Sequence, residues 1–132
     1  MKLTSLRIIT DDIKRSVQFF EKITGLPATW YTDDFAEVVA GTSTLAIGSM
    51  RTIALFGGEG IIQPASNRSV IIEFMVGDVD DEYNRIKDFV SDIVQQPTTM
   101  PWGNRSLLFR DPDGNLINFF TPVTPEAMKK FS

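Results

Sequence analysis

Two stretches of the chain carry the same pattern of apolar and polar positions. LRIITDDIKRSVQFFEKI from Leu6 and IEFMVGDVDDEYNRIKDF from Ile72 each open on an extended apolar run. Each then sets an aspartate, Asp12 or Asp78, ahead of a branched apolar residue, Ile13 or Val79. Apolar positions follow at spacings of three and four: Ile13, Val17, Phe20 and Ile23 in the first copy, and Val79, Tyr83, Ile86 and Phe89 or Val90 in the second. That spacing predicts an amphipathic helix with one buried face. Asp11 or Asp12 caps the first helix and Asp78 the second, because a short carboxylate accepts the free N–H groups of a first turn. The copies lie 66 residues apart, half the chain, so the pattern reads as an internal duplication.

Each copy predicts strand, helix, then three strands. After Gly25-Leu26-Pro27 these are ATWYTD, FAEVVAGTSTLAIG (with a possible break at Gly41) and RTIALFGG; after the second helix they are DIVQQPTT, RSLLFRD and NLINFFTP. Between RSLLF and LINFF, the run Asp111-Pro112-Asp113-Gly114 is a hairpin turn: proline presets its φ and glycine tolerates a positive one. GGEGIIQPASNRS is rich in Gly, Pro and Ser and reads as a linker. GGEG itself lacks the strand and helix a phosphate loop needs. The expected organisation is α+β with mixed sheets in a single domain, 1–132: module one about 1–58, linker about 59–68, module two about 69–123, and a tail 124–132 with a short helical turn.

Composition narrows the chemistry. There is no Cys and no His among the 132 residues, which excludes disulfides, thiolate or imidazole metal ligands, a Cys nucleophile and a Ser-His triad. Any metal would rest on carboxylate oxygens. The net charge of −4 argues against nucleic acid or an anionic membrane as partner. No apolar run approaches the roughly 20 residues a spanning helix needs, and the N-terminus shows no signal-peptide pattern; the expected location is cytoplasmic.

LRIITDDIKRSVQFFEKITGLP, VGDVDDEYNRIKD and LLFRDPDGNLINFFTP, in that order and spacing, resemble the vicinal oxygen chelate (glyoxalase / bleomycin resistance protein / dioxygenase) superfamily over nearly the whole chain. The resemblance implies two tandem βαβββ modules whose mixed sheets curl into a partial barrel around a cleft, usually within a homodimer. Enzymes of the family hold a divalent metal with four residues, one on the first and one on the last strand of each module. Those positions fall here on Ser5, Ala54, Ile71 and Asn118. Ala and Ile offer no donor atom and Ser and Asn only neutral oxygens, so a divalent metal is not expected, nor any other cofactor. Glu73 is the nearest carboxylate, two residues from Ile71 and on the same strand face.

A cleft without a metal leaves stacking and hydrogen bonding as means of recognition. Asn118 and Phe120 share one face of the last strand; Ala54 and Phe56 are expected to share one in RTIALFGG, and Ser5 and Arg7 share one on the first strand. Trp30 and Tyr31 alternate across a strand, so one of them faces core or interface. Trp102, between Pro101 and Gly103, sits in a loop with no structural need for an indole. Arg105 pairs either with an anionic ligand or with Glu37 or Asp111. The candidate ligand-binding set is Arg7, Trp30, Phe56, Trp102, Arg105, Asn118 and Phe120, with Glu73 and Glu37 as candidate bases. The expected function is metal-independent binding, in the manner of bleomycin-resistance proteins, of a small aromatic or cationic molecule. The alternative is a lyase, isomerase or dioxygenase with a non-standard metal site or none.

Overall fold

A computed structural model describes residues 1–58 and 60–132; Glu59, in the expected linker, lies outside the described residues. The chain divides into two compact units, Met1–Asn67 and Arg68–Ser132. In the first, β1 (Ser5–Thr10) leads into α1 (Ile13–Thr24), followed by β2 (Thr29–Thr32), β3 (Phe35–Ala40), β4 (Ser43–Ser49) and a 3₁₀ helix, Met50–Phe56. The second repeats the order with β5 (Ile71–Met75), α2 (Val79–Ile86), β6 (Ile93–Thr99), β7 (Asn104–Arg110) and β8 (Leu116–Pro122), and ends in α3 (Pro125–Lys130). The sheets are built alike, in the orders β1-β4-β3-β2 and β5-β8-β7-β6. In each, the first and last strands pair in parallel and the other neighbours are antiparallel.

Local chemistry sets the helix ends. Asp12 accepts the Arg15 N–H at 3.1 Å and Asp78 the Asp81 N–H at 3.1 Å, each satisfying a donor the first turn leaves free. α1 stops at Gly25, whose φ of 69° closes the turn through its N–H to the Glu21 carbonyl. Val17, Phe20 and Ile23 are buried on α1, opposite Ala36, Val38, Leu45 and Ile47. In the second unit Val79 and Ile86 of α2, with Val90 beyond it, lie over Leu107, Phe109, Ile117 and Phe119. Phe109 and Phe119 meet edge to face at 5.1 Å, and Phe74 packs on Phe119 at 5.7 Å. Burying each such ring contributes about 2–3 kcal/mol.

The Asp111–Gly114 turn is held by its first residue. Asp111 accepts the N–H groups of Asp113 (3.0 Å) and Asn115 (2.7 Å), and its other oxygen takes the Asn115 amide at 2.8 Å. Burial pushes the Asp111 carboxyl up from the ordinary aspartate range, and the Asn115 hydrogen bonds pull against that shift. Thr124 caps α3 over the turn at Gly103, whose carbonyl accepts the Val123 and Thr124 N–H groups.

One expected strand is absent. RTIALFGG forms most of the 3₁₀ helix instead, because FAEVVAGTSTLAIG breaks at Gly41 (φ 61°) into two strands, β3 and β4, which complete the three that follow α1. The Thr52 hydroxyl donates to the Ser49 carbonyl at 2.7 Å and Gly57 (φ 119°) ends the coil, leaving Ile53 as its buried side chain. Ala54 and Phe56 therefore lie on a helical turn, and the last strand of the first sheet is β4.

Candidate functional site

Strand alternation gives each sheet one face packed under its helix and one face turned away from it. In the first unit the face turned away carries Ser5, Arg7, Thr44, Ala46, Phe35 and Glu37, because Arg7 pairs with Ala46 and Ala46 with Glu37 across three strands. In the second it carries Ile71, Glu73, Leu116, Asn118, Leu108 and Phe120, with Glu73 paired to Asn118 and Asn118 to Leu108. The pairing fixes which residues of the two copies correspond: Arg7 with Ala46 in one unit, Glu73 with Asn118 in the other. Ala46, not Ala54, is thus the last-strand counterpart of Asn118. The amino-acid pattern misplaced it because an apolar pentad such as TIALF fits a strand as well as a coil.

Asn118 is 9% exposed, and its Nδ2 donates to Glu73 Oε2 at 2.8 Å across the parallel pair. Its Oδ1 is buried and accepts no hydrogen bond. An amide oxygen shut from water without a donor costs about 1–3 kcal/mol, so its place beside a carboxylate on the face away from α2 is an energetic anomaly. Phe120, on the same face, is 7% exposed under Phe131, the residue that ends α3, with ring centroids 5.1 Å apart.

Arg7 is exposed on the edge strand β1. Its guanidinium lies over two rings, 4.9 Å from the centroid of Phe35 and 5.5 Å from that of Phe56. No carboxylate among the described residues is within ion-pair reach of it. Glu37 stands two strands away, about 10 Å between backbones. The Glu37 carboxylate beside the Tyr31 phenol pushes the tyrosine up from its ordinary 10.0. Tyr31 in turn lies against Phe35, centroids 6.0 Å apart. Arg7, Phe35, Phe56, Glu37 and Tyr31 form one polar and aromatic group; of the alternating pair Trp30 and Tyr31 it is Tyr31 that joins it, and Phe35 was not singled out in the sequence, although its alternation with Glu37 along β3 signals the shared face.

The remaining candidates lie apart from these two clusters. Trp30 pairs with Ala36, in the row of the first sheet that runs under α1, and is 43% exposed. Trp102 is exposed in the turn before β7. Arg105 binds neither Glu37 nor Asp111: it forms a two-pronged ion pair with Asp80 of α2, Nε to Oδ2 at 2.8 Å and Nη2 to Oδ1 at 3.0 Å, and also donates to Thr99. That bond holds Asp80 below the usual aspartate range.

The donor set does not fit a divalent cation. Ala46 has no donor atom, Arg7 brings positive charge, Ser5 and Ile71 lie two residues along the same edges, and the second unit supplies one carboxylate and one amide. Among the described residues no three acidic, His or Cys side chains gather to hold a metal.

Among known proteins the chain is 30% identical over 125 residues to YraH of Bacillus subtilis (strain 168), an uncharacterized protein, covering 91% of this chain and 98% of that one. Its fold matches a glyoxalase/bleomycin resistance protein/dioxygenase family enzyme from Burkholderia phytofirmans PsJN with a TM-score of 0.81 at 15% identity, over 91% of this chain and 98% of that one. A glyoxalase/bleomycin resistance protein/dioxygenase from Nocardioides gives 0.77 at 22%, over 95% and 85%. A protein of unknown function from Agrobacterium tumefaciens str. C58 gives 0.78 at 25%, over 92% and 94%. A family model matches residues 2–119, and with it the duplicated strand–helix–three-strand unit: the chain belongs to the Glyoxalase/Bleomycin resistance protein/Dioxygenase superfamily.

Proposed function

We propose that this chain is a metal-independent small-molecule-binding protein, acting as a homodimer as is common in its superfamily. The observation that carries the reading is Asn118: a buried amide acceptor without a donor, held beside the Glu73 carboxylate on the sheet face away from α2. A bound molecule bearing an N–H or O–H supplies the missing donor, a cost the empty protein otherwise bears without return. With Ala46 in place of Ala54, the positions where the family's enzymes hold a metal carry Ser5, Ala46, Ile71 and Asn118, a set that supports recognition by hydrogen bonds and stacking in place of coordination.

One observation favours a second reading. The 2.8 Å bond from Asn118 orients the Glu73 carboxylate and leaves its other oxygen free, as a general base requires. Glu73→Gln separates the two: a binder keeps its ligand affinity within a few fold, whereas an enzyme loses turnover.

The test is elemental analysis of the purified protein after incubation with Zn²⁺, Ni²⁺, Mn²⁺ or Fe²⁺ and desalting, followed by a small-molecule screen read by Trp fluorescence. Sub-stoichiometric metal together with a saturable ligand supports the proposal. One tightly held metal per chain refutes it.

A further inference from the structure

We infer that the group around Arg7 in the first unit is a binding site for an anion carried on a flat ring, such as an aromatic carboxylate or an aryl phosphate. This rests on the small-molecule-binding reading and names the class of ligand. It departs from the cationic ligand that the acidic net charge suggests. A guanidinium presents five donors in one plane, and here none is taken by a carboxylate or carbonyl of the described residues. The rings of Phe35 and Phe56 hold that plane by cation–π contact, which fixes the fork without consuming its N–H groups. Next to Arg7 in the sheet stands Ala46, a small, buried neighbour that offers the guanidinium neither a charge nor a hydrogen-bond acceptor in its side chain. Glu37, the acid in the same row, stands on β3 beyond Ala46, so it does not neutralise the arginine's charge by a direct ion pair.

Each part sets one requirement on the ligand. The fork takes two oxygens of a carboxylate or phosphate in a bidentate bond, the strongest pairing open to it. Phe56, 62% exposed at the end of the 3₁₀ helix, offers a ring surface that a flat ligand body covers. A cation meets repulsion at Arg7, and a neutral ring gains stacking alone.

The experiment is a titration of the full chain with benzoate, phenyl phosphate, inorganic phosphate, benzyl alcohol and benzamidine, followed by amide chemical shifts in ¹⁵N-labelled protein. Benzoate and phenyl phosphate are expected to shift residues of β1, β4 and the 3₁₀ helix saturably, with benzyl alcohol and benzamidine weaker by roughly tenfold or more. Arg7→Gln, at an exposed position, abolishes the preference for the anions, and Arg7→Lys restores it only in part because an ammonium cannot form the fork. Phe56→Ala weakens benzoate more than inorganic phosphate. Arg51→Gln is the control for lost surface charge, since Arg51 is already paired with Asp34 at 2.9 Å, and leaves binding unchanged. Equal binding of the anions to wild type and Arg7→Gln overturns the inference, as does the absence of any saturable anion shift. Neither result touches the wider reading, which falls on metal content and on the unbiased screen.

Discussion

Replacing Asn118 by Leu should make the protein more stable. The two side chains are close in shape, so the substitution changes polarity at nearly constant volume. Removing Oδ1 relieves a buried acceptor that has no donor, about 2 kcal/mol at the middle of the usual 1–3 kcal/mol. The same change deletes the 2.8 Å bond from Nδ2 to Glu73. Bonds to a charged group reach about 1.5–3 kcal/mol when buried, but Glu73 is exposed and water takes over the lost donor, which brings the loss to about 1 kcal/mol. The balance is a gain of about 1 kcal/mol, or roughly 3–5 °C in Tm for a chain of this size. Urea unfolding followed by far-UV circular dichroism measures it: the midpoint rises while the slope stays constant. A loss of stability of about 1 kcal/mol or more would refute the reasoning, because it would mean that Oδ1 is satisfied in the folded protein. A gain in stability accompanied by lost ligand binding is the trade expected of a residue kept for function.

Gly103→Ala should cost about 2 kcal/mol or more: φ there is +95°, and a Cβ would come 2.1 Å from the Thr124 hydroxyl oxygen that caps α3, so chemical denaturation and protease sensitivity near the C-terminus should both report it. Phe20→Ala removes a ring with no solvent exposure from beneath α1 and should cost about 3–5 kcal/mol in the same assay; a loss under about 1 kcal/mol would mean that α1 is not anchored there. Asp34 and Asp80 are held below the aspartate reference of 3.8 by hydrogen bonds from Ser49 and Arg105, so the stability they contribute is present above that value and is lost as pH falls through their folded values. Asp80→Asn should therefore narrow the gap to wild type as acid unfolding proceeds, and a constant gap across the titration would contradict the assignment. Asp111 has the opposite sign: burial raises it, so its contribution is largest in acid and declines as pH rises through its folded value.

The duplication, both helices with their aspartate caps, the Asp111–Gly114 turn and the strands of the second unit were legible in the pattern, because period and capping chemistry are local. Ala54 shows where local reading ends. TIALF alternates well enough for a strand, and only the split of the preceding segment at Gly41 settles which residues complete the sheet. The inward placement of Asn118 was expected from the last-strand position that the resemblance assigned to it, but its bond to Glu73 depends on the parallel register of β5 and β8, which no local signal encodes. Arg105 is the converse case. Its partner Asp80 lies 25 residues away on α2, and carboxylates nearer in the sequence compete equally for it. The rings around Arg7 come from β3 and the 3₁₀ helix, elements distant in sequence from β1.

The order of strands has a consequence for any attempt to divide the molecule. Each sheet begins at one margin with its first strand, β1 or β5, and finishes at the other with β2 or β6. The far margins are blunted: β2 has four residues and a shift of register, and β6 carries Pro97 and two such shifts. The near margins are not, since SLRIIT and IIEFM are regular, largely apolar and free of proline, with a row of backbone groups unpaired in their own sheet. Such an edge is a template for adding further strands. A fragment cut at the linker would carry one such edge of its own, so strand-to-strand aggregation is the hazard to measure for either unit expressed alone.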